Sequence, residues 1–278
     1  MKKSILGMFV FAVLVSLSAS SYALDFIKFG TSHDTDFWGT PDYEFGTFPS
    51  TLQYLAARGK NEITSLDLTD GNVENVFNGD FGAFDAIVVS ESISQISPGS
   101  YALFTQYVNS GGCVIVTGDH ANGEDEFLNN SFGYNVSVIT VLDVVDTFAI
   151  TSFASGTSFA NGPAELVAAD LTSAYGNAPG AVIYSGTTGV TVCTDQFGGG
   201  IVSAIGWDYC CTEGAPNTPA QILAWYEVIN RAFDQCTGAI STPGRPIPTL
   251  SEWGMISMAG ILGLFGLFAA LRRRKATA

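Results

Sequence analysis

The 18 residues from Gly254 to Leu271 carry no charge, and Arg272, Arg273, Arg274 and Lys275 follow at once. At about 1.5 Å of rise per residue, a helix of that length reaches across a bilayer core. A basic cluster beside such a segment is held on the cytoplasmic side. The opposite end is built in a related way. Lys2 and Lys3 precede an apolar run from Ile5 to Leu17, and small residues then lead to Ser21-Tyr22-Ala23. That is the layout of a removable secretory signal. The two ends predict a body outside the cytoplasm, between a signal peptide over 1–23 and a transmembrane helix over 255–271. A basic cytoplasmic tail over 272–278 would complete the chain.

The body predicted over 24–236, followed by a Gly/Pro/Ser/Thr linker over 237–246, is strongly acidic. Residues 24 to 248 hold five basic residues (Lys28, Arg58, Lys60, Arg231 and Arg245) against 25 acidic ones, a net charge of −20. Such a surface repels nucleic acid and anionic lipid headgroups and attracts cations. A hydrophobic fraction of 47% with only 13% charged residues excludes a disordered chain.

Of the five cysteines, Cys193, Cys210, Cys211 and Cys236 lie in the last part of the body. An exported protein meets oxidising conditions, so one or two bridges are expected among these four. The pairing stays open. Cys113 opens an apolar strand and is expected to be a buried free thiol.

Short, uniformly apolar runs set the fold expectation. Asp25 to Phe29, Ile63 to Leu68, Ala86 to Ser90 and Cys113 to Thr117 read as strands, separated by helices over 49–58 and 98–108. Ser97-Pro98 supplies a cap and a first-turn proline for the second of these. Strands of this kind between helices predict a doubly wound, mostly parallel α/β sheet covered on both faces. A short helix is expected over 124–130. After it the pattern turns to β-like segments with Gly-rich turns at 136–145, 181–184, 190–194 and 201–205, expected to extend the sheet in part by antiparallel pairing. An amphipathic helix over 218–233 closes the body.

Two resemblances follow from particular strings. Ile247-Pro248-Thr249-Leu250-Ser251-Glu252-Trp253-Gly254, set before an apolar segment and a basic end, resembles the IPTL-CTERM sorting signal, a relative of the PEP-CTERM tails. The resemblance implies an exosortase-type sorting protease as partner. It also implies an inner-membrane tail anchor before processing, then delivery to the cell surface or extracellular matrix of a Gram-negative bacterium. The second resemblance is to the class I glutamine amidotransferase-like fold, which is flavodoxin-like in outline. It rests on Phe84 to Ser90, on Tyr107 to Asp119 with its Gly111-Gly112 turn, and on Gly199 to Asp208. The amidotransferase chemistry is not implied here. No Gly-x-Cys-x-Gly elbow is present, and no histidine follows His120.

Both histidines of the chain neighbour an acid. His33-Asp34 follows the first strand and Asp119-His120 the fourth, while Glu91 follows the third. Carboxyl edges of such sheets bind ligands, and a mixed His and carboxylate set suits a divalent metal. His33, Asp34, Asp119 and His120 are therefore the candidate metal ligands, with Glu91, Trp207 and Asp208 as further site candidates. A Ser90-His120-Asp119 triad is not supported, because no nucleophile elbow surrounds Ser90. Aromatics at strand ends could stack on sugars. The expected function is an exported envelope protein with a non-catalytic domain that binds a glycan or a cation. The alternative is a metal-assisted hydrolase built on the two His-Asp pairs.

Overall fold

Strand β1 (Leu24–Phe29) is buried along almost its whole length, as an apolar run between two layers of helix must be. It is described in a computed structural model that covers residues 23–30, 49–79, 83–90, 96–118, 123–142, 146–168, 172–207 and 218–240. Helix α1 (Thr51–Ala56) begins at Ser50, whose hydroxyl accepts from the Gln53 N–H while the Gln53 side chain returns to the Ser50 N–H. This reciprocal cap satisfies two donors that a helix start leaves open. Strand β2 (Lys60–Leu66) and helix α2 (Asp70–Phe77) follow, then β3 (Ala86–Val89), α3 (Pro98–Asn109) and β4 (Cys113–Thr117). The expected cap at Ser97 is present, with its hydroxyl accepting from the Ser100 N–H.

Helix α4 (Glu124–Phe132) leads into a β-rich stretch. It contains β5 (Ser137–Leu142), β6 (Asp146–Ile150), two 3₁₀ turns (Ser152–Ala154 and Ser158–Asn161), β7 (Glu165–Ala168), β8 (Thr172–Gly176), β9 (Ala181–Ser185), β10 (Val190–Phe197) and β11 (Gly200–Ile205). Helix α5 (Pro219–Ile240) ends the described chain.

The strands form one mixed sheet in the order β2-β1-β3-β4-β11-β10-β9-β6-β7, with β8 pairing both β10 and β5. This corrects the expected doubly wound, mostly parallel sheet. Four pairings, β2-β1, β1-β3, β3-β4 and β4-β11, are parallel. The six others described are antiparallel. The physical reason lies in the connections. Short turns such as those between β9, β10 and β11 can only reverse the chain, whereas parallel neighbours need a long crossover. The expected C-terminal transmembrane helix is also not borne out. Among the described residues no helix is long and apolar enough to cross a membrane, and 241–278 lie outside them.

Two apolar clusters fill the faces of the sheet. One takes Phe26, Val88, Cys113, Ile115 and Ile205 from the strands and packs them under α1 and α5. The other takes Phe29, Val89, Val116 and Ala204 and packs them under α2, α3 and α4. Helix α5 buries Ile222, Trp225, Tyr226, Val228, Ile229, Ala232 and Phe233. Each large side chain of this kind contributes roughly 1.5–3 kcal/mol on leaving water, before the entropy of ordering.

The cysteines differ from expectation. Cys113 is bridged to Cys236 across 123 residues of sequence. Cys193, expected in a bridge, is a buried free thiol. Cys113 points from β4 toward α5, and Cys193 lies among the residues of the opposite face. Burial thus placed the two thiols on different sides of the sheet. Cys210 and Cys211 lie outside the described residues.

Candidate functional site

Strands β1, β3, β4 and β11 are parallel neighbours, so their carboxyl ends meet at one edge of the sheet. The register aligns Phe29 with Val89, Val89 with Val116, and Thr117 with Ile205. The edge is closed by backbone hydrogen bonds. The Ser90 N–H donates to the Phe29 carbonyl at 2.8 Å, and the Gly118 N–H to the Ile205 carbonyl at 2.7 Å. The strand order thus brings the ends of β1, β3, β4 and β11 side by side.

Buried polar residues collect at this edge. Ser90, Thr117, Glu124, Thr172, Ser173 and Thr191 are all buried. Buried polar groups cost free energy unless they are bonded, so their partners matter. The Ser173 hydroxyl donates to Glu124 Oε1 at 2.6 Å, and the Gly123 N–H donates to Glu124 Oε2 at 2.9 Å. The Thr191 hydroxyl donates to the Ser173 carbonyl at 3.2 Å. Ser173 also ties its own backbone to β11, its N–H donating to the Gly206 carbonyl at 2.6 Å.

Glycine is required where these strands converge. A Cβ on Gly118 would stand 2.9 Å from the Gly206 carbonyl carbon and 3.0 Å from Glu124 Oε1. A Cβ on Gly206 would collide with the Ser173 carbonyl. The end of β4, the end of β11, the start of β8 and the first residue of α4 thus form one knot around the Glu124 carboxyl.

Burial raises the Glu124 pKa above the ordinary carboxylate value, although the Ser173 and Gly123 hydrogen bonds pull the other way. A raised value lets a carboxyl hold its proton nearer neutral pH. Tyr175 of β8 is fully enclosed, and its pKa is pushed well above the usual phenol value by burial and then by the nearby Glu124 charge. Lys28, the residue before the last of β1, is also completely buried. Glu62 of β2 faces it. Burial pushes the Glu62 carboxyl up while the Lys28 charge pulls it down.

The predicted site residues fare unequally. Trp207 is described. It is buried and stacks on Trp225 of α5 with centroids 5.7 Å apart and ring planes 6° from parallel. His33, Asp34, Glu91, Asp119, His120 and Asp208 lie outside the described residues, as does the string from Ile247 to Gly254. Among the described residues no group of three His, Cys, Asp or Glu side chains is placed to hold a metal ion.

Sequence reading passed over Ser173 and Tyr175, counted Lys28 only among the basic residues, and used Glu124 as the start of a short helix. The signal for Lys28 was present, a lone cation inside the apolar string Asp25-Phe26-Ile27-Lys28-Phe29. Ser173 had no such signal, because its role depends on a strand pairing far away in sequence.

A separate cavity of about 440 Å³ is lined by Gly156, Ser158, Gln196, Ile201, Asp234, Gln235, Thr237 and Gly238. It does not coincide with the carboxyl edge. Ile201 pairs with Cys113, the first residue of β4, so the cavity lies toward the amino ends of the strands.

Comparison with known proteins bears on the two parts of the chain separately. Residues 245–274 match the IPTL-CTERM motif. An IPTL-CTERM motif marks this chain as an exported protein sorted by its C-terminal motif. It is consistent with a sorting protease as partner. The motif covers the tail alone, and no curated protein matches the chain.

The body is similar in fold to a putative ThuA-like protein from Parabacteroides merdae, with a TM-score of 0.52 at 12% identity over 81% of this chain and 93% of that one. A putative ThuA-like protein from Bacteroides uniformis follows at a TM-score of 0.43 and 12% identity, over 78% and 93% of the two chains. A cytoplasmic protein from Salmonella typhimurium gives 0.49 and 11%, over 76% and 99%. At these identities the likeness is one of fold alone, carried by the Parabacteroides protein. The amidotransferase-like resemblance is not shown by these neighbours.

Proposed function

We propose that the IPTL-CTERM tail delivers a ligand-binding body to the cell surface or matrix, after removal of a signal over 1–23 and handling by an exosortase-type protease. The ligand is received at the carboxyl edge of β1, β3, β4 and β11. The observation that carries this reading is the strand order. It makes His33-Asp34, Glu91, Asp119-His120 and Asp208 the residues that follow, in sequence, the four neighbouring carboxyl ends. The buried polar knot around Glu124 supports it, since polar groups are costly to enclose and collect where a site needs them.

A cation is the first ligand to test, because the body is acidic and both histidines stand beside acids. A glycan is the second. The same residues support one other reading, a metal-assisted hydrolase in which the two His-Asp pairs hold a divalent ion that activates water.

The experiment is elemental analysis of the purified full chain, beside His33→Ala and His120→Ala variants. Stoichiometric transition metal that is lost in both variants supports the hydrolase. Binding of Ca²⁺ that survives both supports the cation-binding surface protein. Neither metal at any level, in variants that keep the wild-type fold, removes both metal readings and leaves the glycan to be tested.

A further inference from the structure

We propose that the Cys113–Cys236 bridge is a tether closed only on export, which fixes the last turns of α5, and so the end of the body that leads into the sorting tail, to the central strand of the sheet. Cys113 is the first residue of β4, and β4 lies between β3 and β11 in the parallel half. Cys236 lies in the last part of α5, and the chain continues from Ile240 into the motif at 245–274.

The need for a tether shows in how α5 is held. Its apolar anchors, Ile222, Trp225, Tyr226, Val228, Ile229, Ala232 and Phe233, all precede Cys236. Thr237 and Gly238 after it are exposed, and Gly238 is a weak helix former. Cys236 is thus the last described buried side chain before the sorting motif. Without a covalent bond there, the helix end is the part of α5 most open to fraying. With it, disturbance of the tail stops at a bond to the middle of the sheet.

The timing follows from burial. Cys113 and Cys236 are both inside the core, with 1% and 0% of their surfaces exposed. No oxidant reaches them after folding, so the bridge closes as the chain folds. The cytoplasm keeps thiols reduced and the exported compartment does not. Closure is a thiol–disulfide exchange. The two thiols lose two protons and two electrons, and an oxidant of the disulfide class takes them up and leaves as a dithiol.

Pair choice is also built in. Cys193 lies among the residues of the other face of the sheet, and burial pushes its thiol up to about 12. Folding carries it to the face of the sheet away from Cys113 and Cys236, so it stays out of the bridge.

Two measurements on the full chain test the tether. Newly made chain trapped before export and exported chain are alkylated without reduction and mapped by mass spectrometry. The expected result is free Cys113 and Cys236 in the first and a 113–236 bridge in the second. Equal bridging in both, or free thiols in the exported chain, overturns the proposal.

Hydrogen exchange is then compared between the oxidised chain and the Cys113→Ala/Cys236→Ala variant. Amides of 235–240 should exchange at least tenfold faster in the variant. Those of β1 and of Ile222 to Phe233 should change less than twofold, and Cys193→Ser should change neither. Unaltered exchange at 235–240 overturns the proposal. Should the double variant not fold, wild-type chain unfolded, reduced and refolded in excess reductant gives the same comparison with the same deciding outcome.

Discussion

Strands β4 and β6 belong to the same sheet, yet every residue of β4 is buried, while β6 surrounds a single buried Phe148 with exposed and half-buried neighbours. The difference is one of cover. In the parallel half α1 and α5 lie on one face and α2, α3 and α4 on the other, so both sides of its inner strands must be apolar. Strands β6 and β7 pack chiefly on one side, and Phe148, Leu166 and Ala168 join the cluster under α5. Their other side meets solvent, and an alternating pattern follows. The two halves are therefore unlike in sequence but share one core.

That shared core makes the largest prediction. Phe26→Ala in the parallel half and Phe148→Ala in the antiparallel half should each cost about 3–5 kcal/mol. Urea unfolding followed by tryptophan fluorescence and by far-ultraviolet circular dichroism should show one coincident transition for both variants. A Phe148→Ala chain that loses its antiparallel strands first, in a separate step, would break the comparison by showing two cores.

The knot at Glu124 joins the halves and comes next. Glu124→Ala leaves the Ser173 hydroxyl and the Gly123 N–H without their acceptor, a loss of about 2–3 kcal/mol. The pH dependence has a fixed sign. The folded pKa of Glu124 lies above its unfolded value, so the folded state binds the proton more tightly. The stability this contributes is full below the unfolded pKa and is lost as pH rises through the folded one. Subtracting the pH–stability curve of Glu124→Gln from that of wild type should reveal this component. A difference that does not change with pH would show that the carboxyl titrates alike in both states.

The smallest effect belongs to the outer edge of the parallel half. Lys60 pairs with Asp234 of α5 at 2.7 Å, and the Asp234 side chain is 37% exposed. Lys60→Met should cost no more than about 1 kcal/mol, and the cost should shrink in high salt. A larger loss would mean that this pair, rather than the apolar cluster, holds α5 to the edge.

Legibility in the sequence followed the same division. The apolar strings of β1, β3 and β4, the Ser97-Pro98 start of α3 and the amphipathic α5 were readable, because each announces itself within a few residues. Strands β6, β7 and β8 were not. Thr172-Ser173-Ala174-Tyr175-Gly176 is small and polar enough to read as a turn, and it is a strand only because β5 and β10 supply its hydrogen bonds. Helix α2 carries Gly71, Asn72 and Asn75 in eight residues, a poor helical string held by packing of Val73 and Val76. Of the candidate site, the position at strand ends was legible. The bonding of Ser173 to Glu124 across 49 residues was not.

By itself the sequence determined the destination and the materials: a sorting motif at the tail, an acidic body, and apolar strings able to make the centre of a sheet. These are local properties, and local chemistry reads them. The tertiary structure alone decided which edges pair, that the sheet is mixed, and that Cys113 rather than Cys193 meets Cys236. Those choices depend on which face of which strand a side chain occupies once distant segments are hydrogen-bonded together. No run of neighbouring residues encodes that.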